Sequence, residues 1–186
     1  MGGRDRWAAA ADGWAYVELP ERMSLQVDAE IVEVIADLVQ DLMARSPVVI
    51  DERTGPGGRR VTQDRLAVGV SHRNQRAALT IALQRRGLAD VVVDTANRLQ
   101  GREFNVLVAL HPLSGRSDAS AFHLDAGRLC VLASRHRQCC VVVGRAGAAR
   151  LLADYPPPGR AVLRVHKDPE LDGWEAMRVF SSTSKA

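Results

Sequence analysis

The chain has 186 residues, enough for one sizeable domain, and 46% of them are apolar, which excludes a wholly disordered protein. Net charge is only +3, and Arg or Asp breaks every apolar run well short of the roughly 18 residues a membrane-spanning helix needs. The start, Met1 to Trp7, followed by a brief alanine run and Asp12, lacks a signal-peptide core and predicts a cytoplasmic protein.

In chain order, Trp14–Leu19 reads as a short strand closed by Pro20. Residues 27–44 form an amphipathic helix, with Val27, Ile31, Val34, Ile35, Leu38 and Leu42 on one stripe at 3.6-residue spacing. Asp51–Arg60, with four Gly and Pro residues in a row, reads as a loop. Leu66–Ser71 is a buried strand, and a helix from about Asn74 to Arg86 stops at Gly87. Val91–Val93 and Val106–Leu110 are strands flanking a polar insert, Asp94–Glu103. After a Ser-, Gly- and Asp-rich loop over 112–120, a helix from near Ala121 to Arg135 leads into the strand Cys139–Val143. Ala146–Tyr155 reads as a short helix ended by Pro156-Pro157-Pro158, followed by a possible strand at Ala161–Val165 and a frayed tail.

Uniformly apolar strands separated by helices imply a parallel sheet covered on both faces, where ligands bind at the carboxyl ends of strands. Three polar clusters follow strands or occupy the next helix: Ser71-His72-Arg73-Asn74-Gln75, Asp94–Glu103 and Ser134-Arg135-His136-Arg137. They are expected to converge on one edge of the sheet.

Charge is unevenly spread. Glu18 to Asp41 holds seven acids and one Arg, whereas Ala126 to Ala153 holds five arginines (Arg128, Arg135, Arg137, Arg145, Arg150) and no acid. A second basic cluster comprises Arg53, Arg59, Arg60, Arg65, Arg73 and Arg76. Such clusters serve either as solvated faces or as phosphate-binding surfaces. With eight aromatic residues in all, a base-stacking platform is unsupported. Cys130, Cys139 and Cys140 form no CxxC pair and read as buried free thiols. His111, His123 and His166 lack metal spacing and read as hydrogen-bonded imidazoles, so no metal site is expected. Gly144-Arg145-Ala146-Gly147 lacks the third glycine and acidic partner of a dinucleotide loop. Asp168–Trp174 reads as a turn with no chemistry.

Residues 66–76, 91–110 and 127–144 resemble motifs IV, V and VI of superfamily 1 helicases, in order, and most closely the branch containing the nonsense-mediated-decay helicase and bacterial relatives. The specific stretches are Asp94-Thr95 with Gln100-Gly101-Arg102-Glu103, and Leu132-Ala133-Ser134-Arg135-His136-Arg137. Ser71-His72-Arg73-Asn74-Gln75 departs from the usual motif IV. The resemblance covers roughly residues 64–150. It implies a three-layer α/β RecA-like domain of the P-loop NTPase type with a mostly parallel sheet, the C-terminal motor domain of an AAA ATPase/helicase. Residues 1–63 then lead in, 64–155 form the core and 156–186 a tail.

The resemblance further implies Arg135 as arginine finger, with Gln100, Gly101, Glu103, Arg137 and Arg73 toward ATP and Ser71, His72 and Thr95 toward the backbone of single-stranded DNA or RNA. Magnesium-ATP would be held mainly by an N-terminal RecA-like domain. No GxxxxGK[ST] loop occurs and the lysines are only Lys167 and Lys185. The chain is therefore expected to be half of a helicase, inactive in ATP hydrolysis by itself and prone to self-association through its partner face. The alternatives are a non-catalytic nucleic-acid or partner-binding remnant of the same fold, and an unrelated α/β enzyme with His72 or Asp94 as general base.

Overall fold

The computed structural model describes residues 7, 10, 13–24, 27–51, 55–154 and 169–182. Its elements are β1 (Trp14–Leu19), α1 (Ala29–Ala44), β2 (Val48–Val49), β3 (Arg59–Arg60), β4 (Leu66–Val70), α2 (Arg73–Arg85), β5 (Val92–Thr95), α3 (Ala96–Leu99), β6 (Phe104–Leu110), α4 (Ala126–Ser134), β7 (His136–Arg145), α5 (Ala148–Asp154) and α6 (Pro169–Ser182). Five strands form one sheet in the order β1-β7-β6-β4-β5, every pairing parallel, and β2 and β3 form a separate antiparallel hairpin.

Both faces of this sheet are covered, which is why its strands are apolar at consecutive positions rather than alternating. Leu66, Val68, Val70, Val106, Val108, Leu110, Val141 and Val143 point to one core, closed by the apolar stripes of α1 and α2. Ala67, Leu107, Ala109, Cys140 and Val142 point to the other, closed by α3, α4, α5 and α6. The α/β, three-layer RecA-like layout expected from the sequence is the one found. β1 and α1 contribute Val17, Leu19, Ile31 and Ile35 to the first core, so they belong to the same packed body as the later strands.

Several elements differ from their sequence reading. The helix before β7 begins at Ala126 rather than near Ala121, because the carboxylate of Asp125 accepts from the Arg128 N–H at 2.9 Å and caps it there. The polar insert is not all loop: it carries the single turn α3, whose Leu99 is fully buried. The expected tail contains α6 instead. That helix buries Met177 against the second core and donates from Trp174 Nε1 to the Leu152 carbonyl at 2.8 Å. Nothing local marks α6, since the core it covers is assembled by distant residues. The possible strand at 161–165 and His166 lie outside the described residues. Of the three thiols, Cys140 is buried and Cys139 half-buried, but Cys130 is exposed on the outer side of α4.

Arg145 corrects the reading of the 126–153 arginines as one surface. It is 2% exposed, and its guanidinium meets the Asp28 carboxylate at 2.6 and 3.0 Å, the Glu30 carboxylate at 2.6 Å and the Pro20 carbonyl at 2.9 Å. Asp28 simultaneously caps α1 through the N–H groups of Glu30 and Ile31. The end of β7 is thereby tied to the start of α1. Among the described residues, no helix is long and apolar enough to cross a membrane.

Candidate functional site

At the carboxyl ends of β4 and β5 the chain opens into a cleft of about 650 Å³. Ser71 and His72 follow β4 directly, and Arg73 starts α2. The Gln75 side chain reaches back one turn, its Oε1 accepting from the N–H groups of Ser71 (3.2 Å) and His72 (3.0 Å). Gln75 thus sets the shape of this turn, as the returning side chain of a capping box does. Asp94 and Thr95 enter from the adjacent strand, in register opposite Gly69 and Val70. The Asp94 carboxylate accepts from the Thr95 N–H at 2.9 Å and lies 3.9 Å from Arg76 and 3.8 Å from Arg98.

The far wall was not legible in the sequence. The segment between β6 and α4 places Phe122 and His123 over the Ser71–Arg73 turn. The rings of His72 and Phe122 stack with centroids 5.0 Å apart, and the Arg128 guanidinium sits 4.0 Å from the Phe122 centroid. His123 Nε2 approaches His72 Nε2 to 3.4 Å, while its Nδ1 meets Ser120 Oγ at 2.8 Å. Burial first, then the charges of Arg116 and Arg128, lowers the pKa of His72. Burial again leads for His123, reinforced by Arg116, His72 and Arg128 and opposed by Asp118, and brings it down to about 4. Positive charge in the cleft therefore comes from Arg73, Arg76, Arg98 and Arg128, not from the imidazoles. The only residue-level hint in the sequence was a lone Phe-His pair in a long polar connection.

The third cluster lies elsewhere. Arg135 caps the C-terminus of α4, and His136 opens β7 in register with Phe104 at the start of β6. Arg135 donates through Nη2 to Ser134 Oγ at 2.8 Å, while its Nε is buried without a partner. The Phe104 N–H donates to the Arg135 carbonyl at 2.9 Å, which locks the two amino ends together. An irregular register follows: Phe104 pairs with His136 but Val106 pairs with Cys139. The extra residue on β7 is a bulge, and Phe104 and Val106 consequently face opposite cores. Beside it Arg137 gives Nε (2.9 Å) and Nη2 (2.5 Å) to Glu103.

Convergence of all three clusters on one edge is thus not what the fold produces. Ser71, His72, Arg73, Asp94 and Thr95 share the carboxyl edge; Glu103, Arg135 and Arg137 share the amino edge. In a parallel sheet, residues that precede a strand and residues that follow one are separated by the strand's length. The insert crosses between the two. After Thr95 it runs through α3, turns at Gly101 (φ +78°), where a glycine adopts the left-handed region without strain, and reaches Glu103. Gln100 and Gly101 are exposed on this crossing. Arg73, grouped by resemblance with the ATP contacts, stands with Ser71 and His72 at the opposite edge from Arg135.

Among the described residues no group of His, Cys, Asp and Glu is arranged to hold a metal ion. His111 and His123 are each held by local hydrogen bonds, His111 Nδ1 accepting from the Leu113 N–H at 3.1 Å.

No curated protein matched the sequence. A family model described as an AAA domain matches residues 17–147, from β1 through the end of β7 and including both edges just described. The parallel five-stranded sheet, its two helical layers and this match agree: the chain belongs to that family of AAA domains, helicase-like ATPase domains with a RecA-like fold.

Proposed function

We propose that this chain acts as the second motor domain of a superfamily 1 helicase, of the branch containing the nonsense-mediated-decay helicase. In this reading the amino edge faces ATP held by a first RecA-like domain, and the carboxyl-edge cleft carries single-stranded DNA or RNA. The observation that carries it is the course of Asp94–Glu103, one connection that touches both edges. A change at the nucleotide can shift the nucleic-acid cleft through it without a relay of separate parts.

The residues present suit such ligands. Arg135 offers a guanidinium with an unpartnered buried Nε at the amino edge, and Arg137 and Glu103 form an exposed pair beside it. The reaction's chemistry resides in the γ-phosphoryl group of ATP, and catalysis of its transfer is mostly positioning and charge stabilisation. Arg135 supplies the positive charge, Glu103 orients Arg137, and Gln100 with Gly101 shapes the approach. At the opposite edge Ser71, His72, Thr95 and Arg73 bind backbone phosphates, which sets register without reading sequence.

The test is reconstitution with a first motor domain bearing a phosphate-binding loop, followed by measurement of nucleic-acid-stimulated ATP hydrolysis. Replacing Arg135 with Ala is expected to lower turnover by about 10³-fold or more, the scale of arginine-finger contributions. Undiminished turnover in the variant overturns the assignment.

A further inference from the structure

Beneath the β2–β3 hairpin, at the amino edge of β4, β6 and β7, lies a second, smaller cleft of about 190 Å³. Four arginines line it: Arg59 and Arg60 from β3, Arg65 at the end of a 3₁₀ turn just before β4, and Arg137 from β7. Asp51 lines it as well, and Arg137 is engaged by Glu103. We infer that this cleft is a phosphate-binding site formed by Arg59, Arg60 and Arg65, additional to the Arg135 contact and sharing Arg137 and the amino edge with the ATP-facing reading above.

The charge pattern supports this. Several other arginines are matched: Arg22 with Asp28 and Glu30, Arg45 with Asp41, Arg86 with Glu33 and Asp37, Arg116 with Asp118, Arg150 with Glu21, whereas Arg73, Arg85 and Arg102 are exposed without an ion pair to a described residue. Arg59, Arg60 and Arg65 have no ion pair with a described residue. Like charges gathered in one concavity repel and raise the local potential for an anion. Arg65 Nε is also buried without a hydrogen-bond partner, a state that native proteins seldom leave uncompensated and that an entering oxyanion relieves.

The arginines are carried on a shaped support, not on a loose loop. Val49 and Arg59 pair across the hairpin, as do Val48 and Arg60, and the Val61 N–H closes it on the Pro47 carbonyl at 2.8 Å. Gly58 has φ +61°, and a Cβ there would come within 2.3 Å of Val48 Cγ1, so the turn that presents Arg59 requires glycine. The planar guanidinium fork, with its paired N–H donors, suits the multiply charged oxygens of a phosphoryl group. The ligand class is a phosphate at a chain end or in a backbone: the terminal phosphates of a nucleoside triphosphate, or the phosphates of a nucleic acid.

Calorimetric titration of the full chain with tripolyphosphate tests the site. Wild type is expected to bind, more weakly at high salt. Arg65→Gln and the exposed double variant Arg59→Gln/Arg60→Gln are each expected to lose about tenfold or more in affinity, the scale of one charge-assisted hydrogen bond. Arg85→Gln, an exposed arginine of α2 that lines neither cleft, is expected to leave binding unchanged. Absence of binding by wild type, or wild-type affinity in both amino-edge variants, overturns the inference. Should Arg65→Gln melt at a lower temperature than wild type, the double variant decides. Competition then identifies the source: displacement by ATP but not by oligothymidylate indicates a nucleotide's phosphates, and the reverse indicates a nucleic-acid backbone. Arg135 is intact in every variant, so failure here and failure of the ATPase assay are separate results.

Discussion

Asp28 illustrates how one residue serves two structural roles. Burial opposes its ionisation, yet the hydrogen bond from Arg145, the Ile31 N–H and the charges of Arg145 and Arg22 hold its pKa below the ordinary carboxylate value of 3.8. Removing one member of a buried pair strands the other. Asp28→Ala, which also removes the α1 cap, is expected to cost about 3 kcal/mol or more in urea unfolding. A loss below about 1 kcal/mol would mean that Glu30 and Pro20 satisfy Arg145 by themselves. In sequence, Asp28 is one of seven acids in a run and Arg145 one of five arginines in another. The 117 positions between them are why their pairing was not legible. Arg137 and Glu103 pose the same difficulty at shorter range, since only the register of β6 against β7 brings them together.

Among the elements, the crossing from β5 to β6 depends on how closely α3 and α4 approach the sheet. Gly69 in β4 permits that approach: a Cβ there would lie 2.6 Å from Leu132 Cδ2 and 3.4 Å from Leu99 Cδ1. Gly69→Ala is expected to destabilise by about 1–3 kcal/mol, the range for overpacking a filled core. Because it displaces α3 and α4, it is expected to weaken oligonucleotide binding as well. An unfolding midpoint equal to wild type would show that Leu132 yields without strain. Element types were largely readable: β1 and the buried strands follow from apolar runs, and α1 from its stripe. Element ends were less so. α4 starts where the Asp125 cap places it, and α6 forms only because a core built from other parts of the chain awaits Met177 and Trp174.

At the scale of the whole molecule, the histidines make stability depend on pH. Burial holds His111 and His123 neutral, each with its pKa brought down to about 4 from the ordinary 6.5. The unfolded chain takes up these protons below pH 6.5 and the folded chain does not, so the contribution is intact above 6.5 and is lost progressively as pH falls toward 4. The denaturation midpoint is expected to decline across that window, with His111 accounting for at most about 3 kcal/mol at the acid end. Asp28 adds a further loss below its ordinary value. A flat profile between pH 6.5 and 4 would contradict the burial of both imidazoles.

Sequence by itself determined the fold class, because continuous apolar strands between helices have no stable arrangement except a sheet covered on both faces. It also determined the polar composition of both sites, including the Asp94–Glu103 insert and the arginines around β7. What only the tertiary structure decided was sidedness. Strand direction puts Thr95 and Arg135 at opposite edges, a bulge brings Arg137 beside Glu103, and the hairpin carries Arg59 and Arg60 over the amino edge. Each of these depends on pairing register between segments distant in the chain, and register is set by the summed burial of both cores, a quantity that no local pattern encodes.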